Sequence, residues 1–156
     1  MTMIDFASFP ILTTERLTLR QLTTDDHKDI LSLRSDPEIN KYLNRQPSKT
    51  TEDAKNFIQT VNENIQKNNS VYWAITLTNT KTFVGTICLF NFSNNKASCE
   101  IGYELLTKFQ RQGIMKEAAR TVINYVFQTL KFTKIVASTH KDNHHSIKLL
   151  TKKTPI

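Results

Sequence analysis

Residues 97–139 read ASCEIGYELLTKFQRQGIMKEAARTVINYVFQTLKFTKIVAST, and their apolar period changes twice. Over 97–105, Cys99, Ile101, Tyr103 and Leu105 alternate with Glu100, Gly102 and Glu104, the period of a half-buried strand. After Gly113 the spacing becomes helical: Met115, Ala118, Ala119, Val122, Ile123, Val126, Phe127 and Leu130 share one face. Residues 133–139 (TKIVAST) return to a strand. A strand, helix and strand in succession imply a parallel pair joined by a right-handed crossover.

The upstream sequence supplies the rest of the sheet. Residues 11–22 put Leu17 and Leu19 on one side and Arg16, Thr18 and Arg20 on the other, again a strand. Thr24 followed by Asp25 and Asp26 starts a helix, because acids are favoured at the positive end of the helix dipole. Asp36-Pro37 stops it. Thr50-Thr51-Glu52-Asp53 resembles a capping box ahead of Ala54, Phe57, Ile58, Val61 and Ile65 at helical spacing. Strands follow at 71–77 and 82–92, then 97–105, with turns at Asn79-Thr80-Lys81 and Asn94-Asn95, so these three form an antiparallel meander. Gly85 and Gly102 fall inside strands, where glycine marks a bulge or a close backbone approach. A last helix over 143–152, capped by Asp142 or Asn143 and carrying Ile147 and Leu150, completes the order β-α-α-β-β-β-α-β-α. The fold class is therefore α/β in the broad sense (α+β): a mixed, mostly antiparallel sheet flanked by helices.

The chain of 156 residues is the length of one domain, 1–156. No apolar run approaches the ~20 residues of a membrane span. The start MTMIDFASFP has an acid at Asp5 and no basic region before an apolar stretch, so a cytoplasmic location is expected. Gly85, Gly102 and Gly113 are the only glycines, too few and too far apart for a phosphate-binding P-loop or a dinucleotide fingerprint. Cys88 and Cys99 are 11 apart without a C-x-x-C, and read as two buried thiols. His140, His144 and His145 cluster with only Asp142 among acids, and no metal site is expected.

Charge divides the chain. Residues 108–156 hold 10 basic and 2 acidic residues, a net +8, whereas residues 1–107 hold 11 basic and 12 acidic. A basic third suits a polyanion, either the phosphates of a small molecule or a nucleic-acid backbone. Nucleic-acid surfaces interleave stacking aromatics with their cations. Here Phe127 lies on the apolar helix face, which favours the small-molecule reading.

The chemistry concentrates in Lys108-Phe109-Gln110-Arg111-Gln112-Gly113-Ile114-Met115-Lys116, at a strand-to-helix turn. A glycine there frees backbone N–H groups to converge, and the helix dipole adds positive charge. Lys108, Arg111 and Lys116 surround the spot, which suits a pyrophosphate.

Gln110-x-x-Gly113-x-Met115 resembles the Q/R-x-x-G-x-G/A acetyl-CoA signature of the GNAT acetyltransferases. The string Glu100-Ile101-Gly102-Tyr103, the segment Gly113–Ala118, and Thr14-Glu15-Arg16-Leu17-Thr18-Leu19-Arg20 are similar to the branch that acetylates ribosomal-protein N-termini. So is Asn143-x-x-Ser146 before Leu149-Leu150. The resemblance implies an acetyl-CoA-dependent N-acetyltransferase acting on a primary amine, such as a protein N-terminus, with acetyl-CoA as co-substrate and no metal. It implies that the backbone of Gln110, Arg111, Gln112, Gly113, Ile114 and Met115 cradles the pyrophosphate. Backbone groups near Tyr103 and Leu105 would meet the pantetheine arm, Asn143 would hold it near the thioester, and Ser146 would protonate the leaving thiolate. Met115 departs from the Gly or Ala of the signature, though its N–H is still available.

The amine must lose a proton. Glu100 is the favoured base, through water, with Glu104 on the same strand face as the alternative. Other readings are a non-catalytic CoA- or nucleic-acid-binding module of the same fold, and an acetyltransferase of small amines. The resemblance also implies a β-hairpin after residue 152 that this sequence does not contain. An open edge along 133–139, inviting a homodimer, is the expected consequence.

Overall fold

A computed structural model describes residues 5–40, 49–137 and 148–151. Its elements are β1 (Leu12–Thr13), β2 (Leu17–Gln21), a 3-10 turn (Thr24–Asp26), α1 (His27–Ser35), α2 (Pro37–Asn40), α3 (Thr51–Gln66), β3 (Val71–Leu77), β4 (Phe83–Phe90), β5 (Ser98–Leu105), a 3-10 turn (Thr107–Phe109), α4 (Ile114–Asn124) running into a π turn (Tyr125–Thr129), β6 (Lys134–Ala137) and β7 (Lys148–Thr151). The strands form one seven-stranded sheet in chain order. Every neighbouring pair is antiparallel except β5 and β6, the crossover pair, which are parallel with Ser98 opposite Lys134 and Ile101 opposite Ala137.

Register sorts the side chains of the central strands onto two faces. Tyr72, Cys88 and Gly102 line up across β3, β4 and β5, as do Thr86 and Glu104, and Phe90 and Glu100. The other face carries Trp73, Ile87 and Tyr103 in one row and Val71, Leu89 and Ile101 in the next. α3 covers the first face through Phe57, whose ring meets Tyr72 edge-on at 5.7 Å. The π turn covers the second, with Tyr125 edge-on to Trp73 at 5.8 Å. Both faces are therefore buried, which is why β4 reads as a near-continuous apolar run.

Local signals set the helix starts. Thr50 caps α3: its hydroxyl accepts from the Asp53 N–H at 3.1 Å, and the Asp53 carboxylate accepts from the Thr50 N–H at 3.2 Å. Asp26 serves the earlier turn. Its carboxylate takes both arms of the Arg20 guanidinium at 2.8 and 2.9 Å and the Thr23 N–H at 2.8 Å. Burial pushes that carboxyl up, but the bonds from Arg20 and Thr23 outweigh it, and Asp26 titrates below the usual carboxylate value. A folded-state value below the unfolded one stabilises above the unfolded pKa, and this is lost as pH falls through the folded pKa. Asp26→Asn is thus expected to cost about 2 kcal/mol near neutrality, since bonds to charged groups are the strong ones. The gap between parent and variant melting temperatures, followed from pH 7 into acid, closes on the acid side. A gap that widened there would contradict the assignment.

The C-terminal segment differs from expectation. Of the helix expected over 143–152, residues 148–151 are instead a strand, with Lys134 opposite Thr151 and Ala137 opposite Lys148. Lys134–Ala137 is consequently not an open edge, and the basis for a homodimer through it falls away. The reason is physical: the unpaired N–H and C=O groups of β6 are better satisfied by a strand than the local Ile147/Leu150 spacing is by a helix turn. Asn143, Ser146 and the three histidines at 140, 144 and 145 lie outside the described residues.

Candidate active site

β5 delivers the chain to the turn that precedes α4. Beyond the Ile101–Ala137 pair, Gly102–Leu105 has ladder partners only on β4 among the described residues. Gly85 makes this end of the sheet tight. A Cβ there would lie 2.3 Å from the Glu104 carbonyl oxygen and 2.9 Å from the Leu105 Cα. Gly85 also borders the register shift between Ile75 and Thr76 on β3, so bulge and close approach coincide as the glycine suggests. The Leu106 N–H then donates to the Val84 carbonyl at 2.8 Å and ends the strand.

The turn folds back on itself through its two glutamines. The Gln110 side-chain amide donates to the Leu105 carbonyl at 3.1 Å, and that of Gln112 to the Lys108 carbonyl at 3.0 Å. Arg111 has φ +64° and Gly113 φ +77°, two left-handed residues that reverse the chain into the helix. Gly113 is the N-cap, so no side chain caps the first amides of α4, and the turn that precedes them is exposed. Lys108, Arg111 and Lys116 are all exposed around it. A groove lined by Thr14, Gly113, Lys116, Glu117, Arg120 and Asn124 continues from the turn along α4. Uncapped amides, a positive helix end and these cations fit a diphosphate.

The turn is also tied to the far side of the sheet. Arg16 Nε meets Glu117 Oε1 at 2.8 Å, the Arg16 N–H donates to Glu117 Oε2 at 3.0 Å, and Thr14 Oγ1 donates to the same oxygen. Arg16 Nη1 reaches the Gln112 carbonyl at 3.1 Å. Burial pushes the Glu117 carboxyl up, but the bonds from Thr14 and Arg16 prevail and hold it below its ordinary value.

Each residue singled out in the sequence can now be placed. Glu100, Gly102 and Glu104 do share one face of β5. Glu100 lies on the part of β5 paired with β6, where its carboxylate accepts from the Asn91 side-chain amide. Glu104 stands on the part beyond, beside Thr86, and its charge reaches Cys88 and Tyr72. The Tyr72 hydroxyl donates to Thr86 at 3.2 Å, and burial, then the negative neighbours, push its pKa up. Burial with Glu104 alongside pushes the Cys88 thiol up to about 12, and burial with Glu100 does the same for Cys99, so both are free cysteines held in the neutral thiol form. Tyr103, on the opposite face, is half exposed, whereas Leu105 is buried and its carbonyl is taken by Gln110. Ile114 is buried beneath the turn and Met115 partly so.

Comparison with known proteins agrees with this geometry. Residues 16–153 match the acetyltransferase (GNAT) domain family. The chain is 34% identical over 144 residues to the uncharacterized N-acetyltransferase YoaA of Bacillus subtilis (strain 168), covering 92% of this chain and 81% of that protein. Its fold is similar to RimL, a ribosomal L7/L12 alpha-N-protein acetyltransferase solved with coenzyme A, at TM-score 0.76 and 20% identity over 86% of this chain and 77% of that one. It is also similar to the ribosomal-protein-S5-alanine acetyltransferase of Vibrio fischeri, at TM-score 0.72 and 20% identity over 86% and 76% of the two chains. The chain belongs to the GNAT acetyltransferase family and is an N-acetyltransferase. No helix among the described residues is long and apolar enough to cross a membrane.

Proposed function

We propose that this enzyme transfers the acetyl group of acetyl-CoA to a primary amine at a protein N-terminus, of the kind ribosomal proteins present. The observation that carries the donor is the uncapped, cation-ringed turn at Arg111–Met115. The protein acceptor is supported by the names of the similar structures, which act on ribosomal L7/L12 and S5. Two carboxylates on one face of β5 suit a cationic amine on its way to deprotonation.

In this reading the amine nitrogen attacks the thioester carbonyl carbon, the carbon–sulfur bond breaks, and the thiolate leaves. Glu100, or Glu104 nearer the turn, takes the amine proton through water. The resemblance assigns the proton for the thiolate to Ser146 and the hold on the pantetheine arm to Asn143. Backbone groups near Tyr103 would meet the same arm, and an amide there would polarise the thioester carbonyl.

Thiol release from acetyl-CoA, measured against N-terminal peptides and small amines, tests the reading. Peptide-dependent release supports it. Release only with small amines replaces the acceptor, and tight CoA binding with no release by any acceptor makes the chain a binding module. The same assay assigns the base: replacement by glutamine is expected to lower kcat about 100-fold and to remove the acid limb of the pH profile at that carboxylate alone. Parent-like profiles for both Glu100→Gln and Glu104→Gln would leave neither as the base.

A further inference from the structure

We infer that Arg16, working with Thr14, is a positioning residue that sets the donor-binding turn, acting through Gln112 and Glu117 without touching the donor itself. This rests on the acetyl-CoA reading above. An isolated surface ion pair adds little, but this contact is not isolated. Three donors from one short segment converge on the Glu117 carboxylate: the Thr14 hydroxyl, the Arg16 N–H at 3.0 Å and Arg16 Nε at 2.8 Å. The segment is itself fixed, with the Leu17 N–H bonded to Thr14 Oγ1 at 3.0 Å, the Thr14 N–H to the Leu17 carbonyl at 2.9 Å, and the Thr78 N–H to the Arg16 carbonyl at 2.9 Å.

Two physical consequences follow for the turn. First, Glu117 lies in the first turn of α4, where a carboxylate is drawn to the positive helix end that a phosphate would use. The guanidinium neutralises that carboxylate and holds it against the turn between β1 and β2. Second, Arg16 Nη1 pulls the Gln112 carbonyl toward itself at 3.1 Å. A trans peptide carries its C=O and N–H on opposite sides, so the Gly113 N–H is turned away from Arg16, toward the open side of the turn. Arg16 stands directly beside this residue, since a Cβ on Gly113 would lie in ordinary contact with Arg16 Nη2 at 3.5 Å. Lysine replaces the fork only in part: its ammonium still neutralises the carboxylate but does not also serve the carbonyl in its separate direction.

The experiment compares two donors, acetyl-CoA and S-acetylpantetheine, which lacks the phosphates. Arg16→Ala is expected to raise KM for acetyl-CoA about 10- to 30-fold, with kcat within about threefold, and to leave kcat/KM for S-acetylpantetheine unchanged. Arg16→Lys recovers part of the loss, and Thr14→Val gives a smaller change of the same kind in a variant that keeps the ion pair. Equal losses with both donors, or an unchanged KM for acetyl-CoA in both Arg16→Ala and Thr14→Val, overturn the inference. Absence of CoA binding by the parent, measured by calorimetry, overturns instead the donor reading on which it stands.

Discussion

Gly113→Asp is expected to weaken CoA binding on the order of 100-fold while the protein still folds. The position has φ +77°, and aspartate is among the few residues that enter the left-handed region at modest cost. The new side chain would stand at the N-cap of α4 beside Arg16, whose Nη2 lies 3.5 Å from the added Cβ, and would bring a carboxylate into the turn. It therefore fills the place of a phosphate and repels the diphosphate at once. Gly113→Asn separates the two effects. It adds a similar volume without the charge, so about a tenfold loss is expected from it. Calorimetric titration with CoA, alongside a melting curve for each variant, reads the outcome. If Gly113→Asp melts like the parent and binds CoA as tightly, the diphosphate does not sit at this turn.

Gly85→Ala is expected to be the most destabilising single-methyl change in the sheet, at about 3 kcal/mol, the upper range for overpacking. That corresponds to a fall in Tm of about 6–12 °C for a chain of this size. The atoms a Cβ would meet are backbone, at 2.3 and 2.9 Å, with the Leu105 side chain at 3.0 Å. Backbone in a paired strand cannot step aside, so β5 must move from β4 just where it hands over to the donor turn. CoA affinity should fall together with stability. Gly102→Ala is the matched control. Its nearest neighbours are side-chain atoms of Cys88 and Phe90 at 3.4 Å, an ordinary contact, and its loss should stay under about 1 kcal/mol. Equal melting temperatures for the two variants would refute the close approach at Gly85.

The pattern of the sheet was legible because its strands and helices bury opposite kinds of period. Alternation over β3 and β5 and helical spacing after Gly113 left one consistent topology, including the parallel β5–β6 pair. The turn was legible for a local reason: one glycine at a strand-to-helix junction among cations needs no distant partner to be noticed. Three features escaped because their causes are not local. Strand β7 owes its conformation to the waiting edge of β6, which outweighs the propensity of Lys148–Thr151 themselves. The Gln110 amide on the Leu105 carbonyl depends on how the turn folds back. Arg16 and Glu117 stand 101 residues apart, and no spacing rule connects an exposed arginine in the turn between β1 and β2 to a glutamate on a later helix. Both residues were visible as parts of family-like strings, but only the fold brings them into one contact.

The most direct test of the donor site follows backbone amide signals of isotope-labelled protein as CoA is titrated in. The account predicts the largest shifts at Arg111–Met115, with smaller ones at Tyr103 and along Lys116–Arg120. Saturable binding that leaves the Arg111–Met115 amides unmoved, with its shifts concentrated elsewhere, would contradict it.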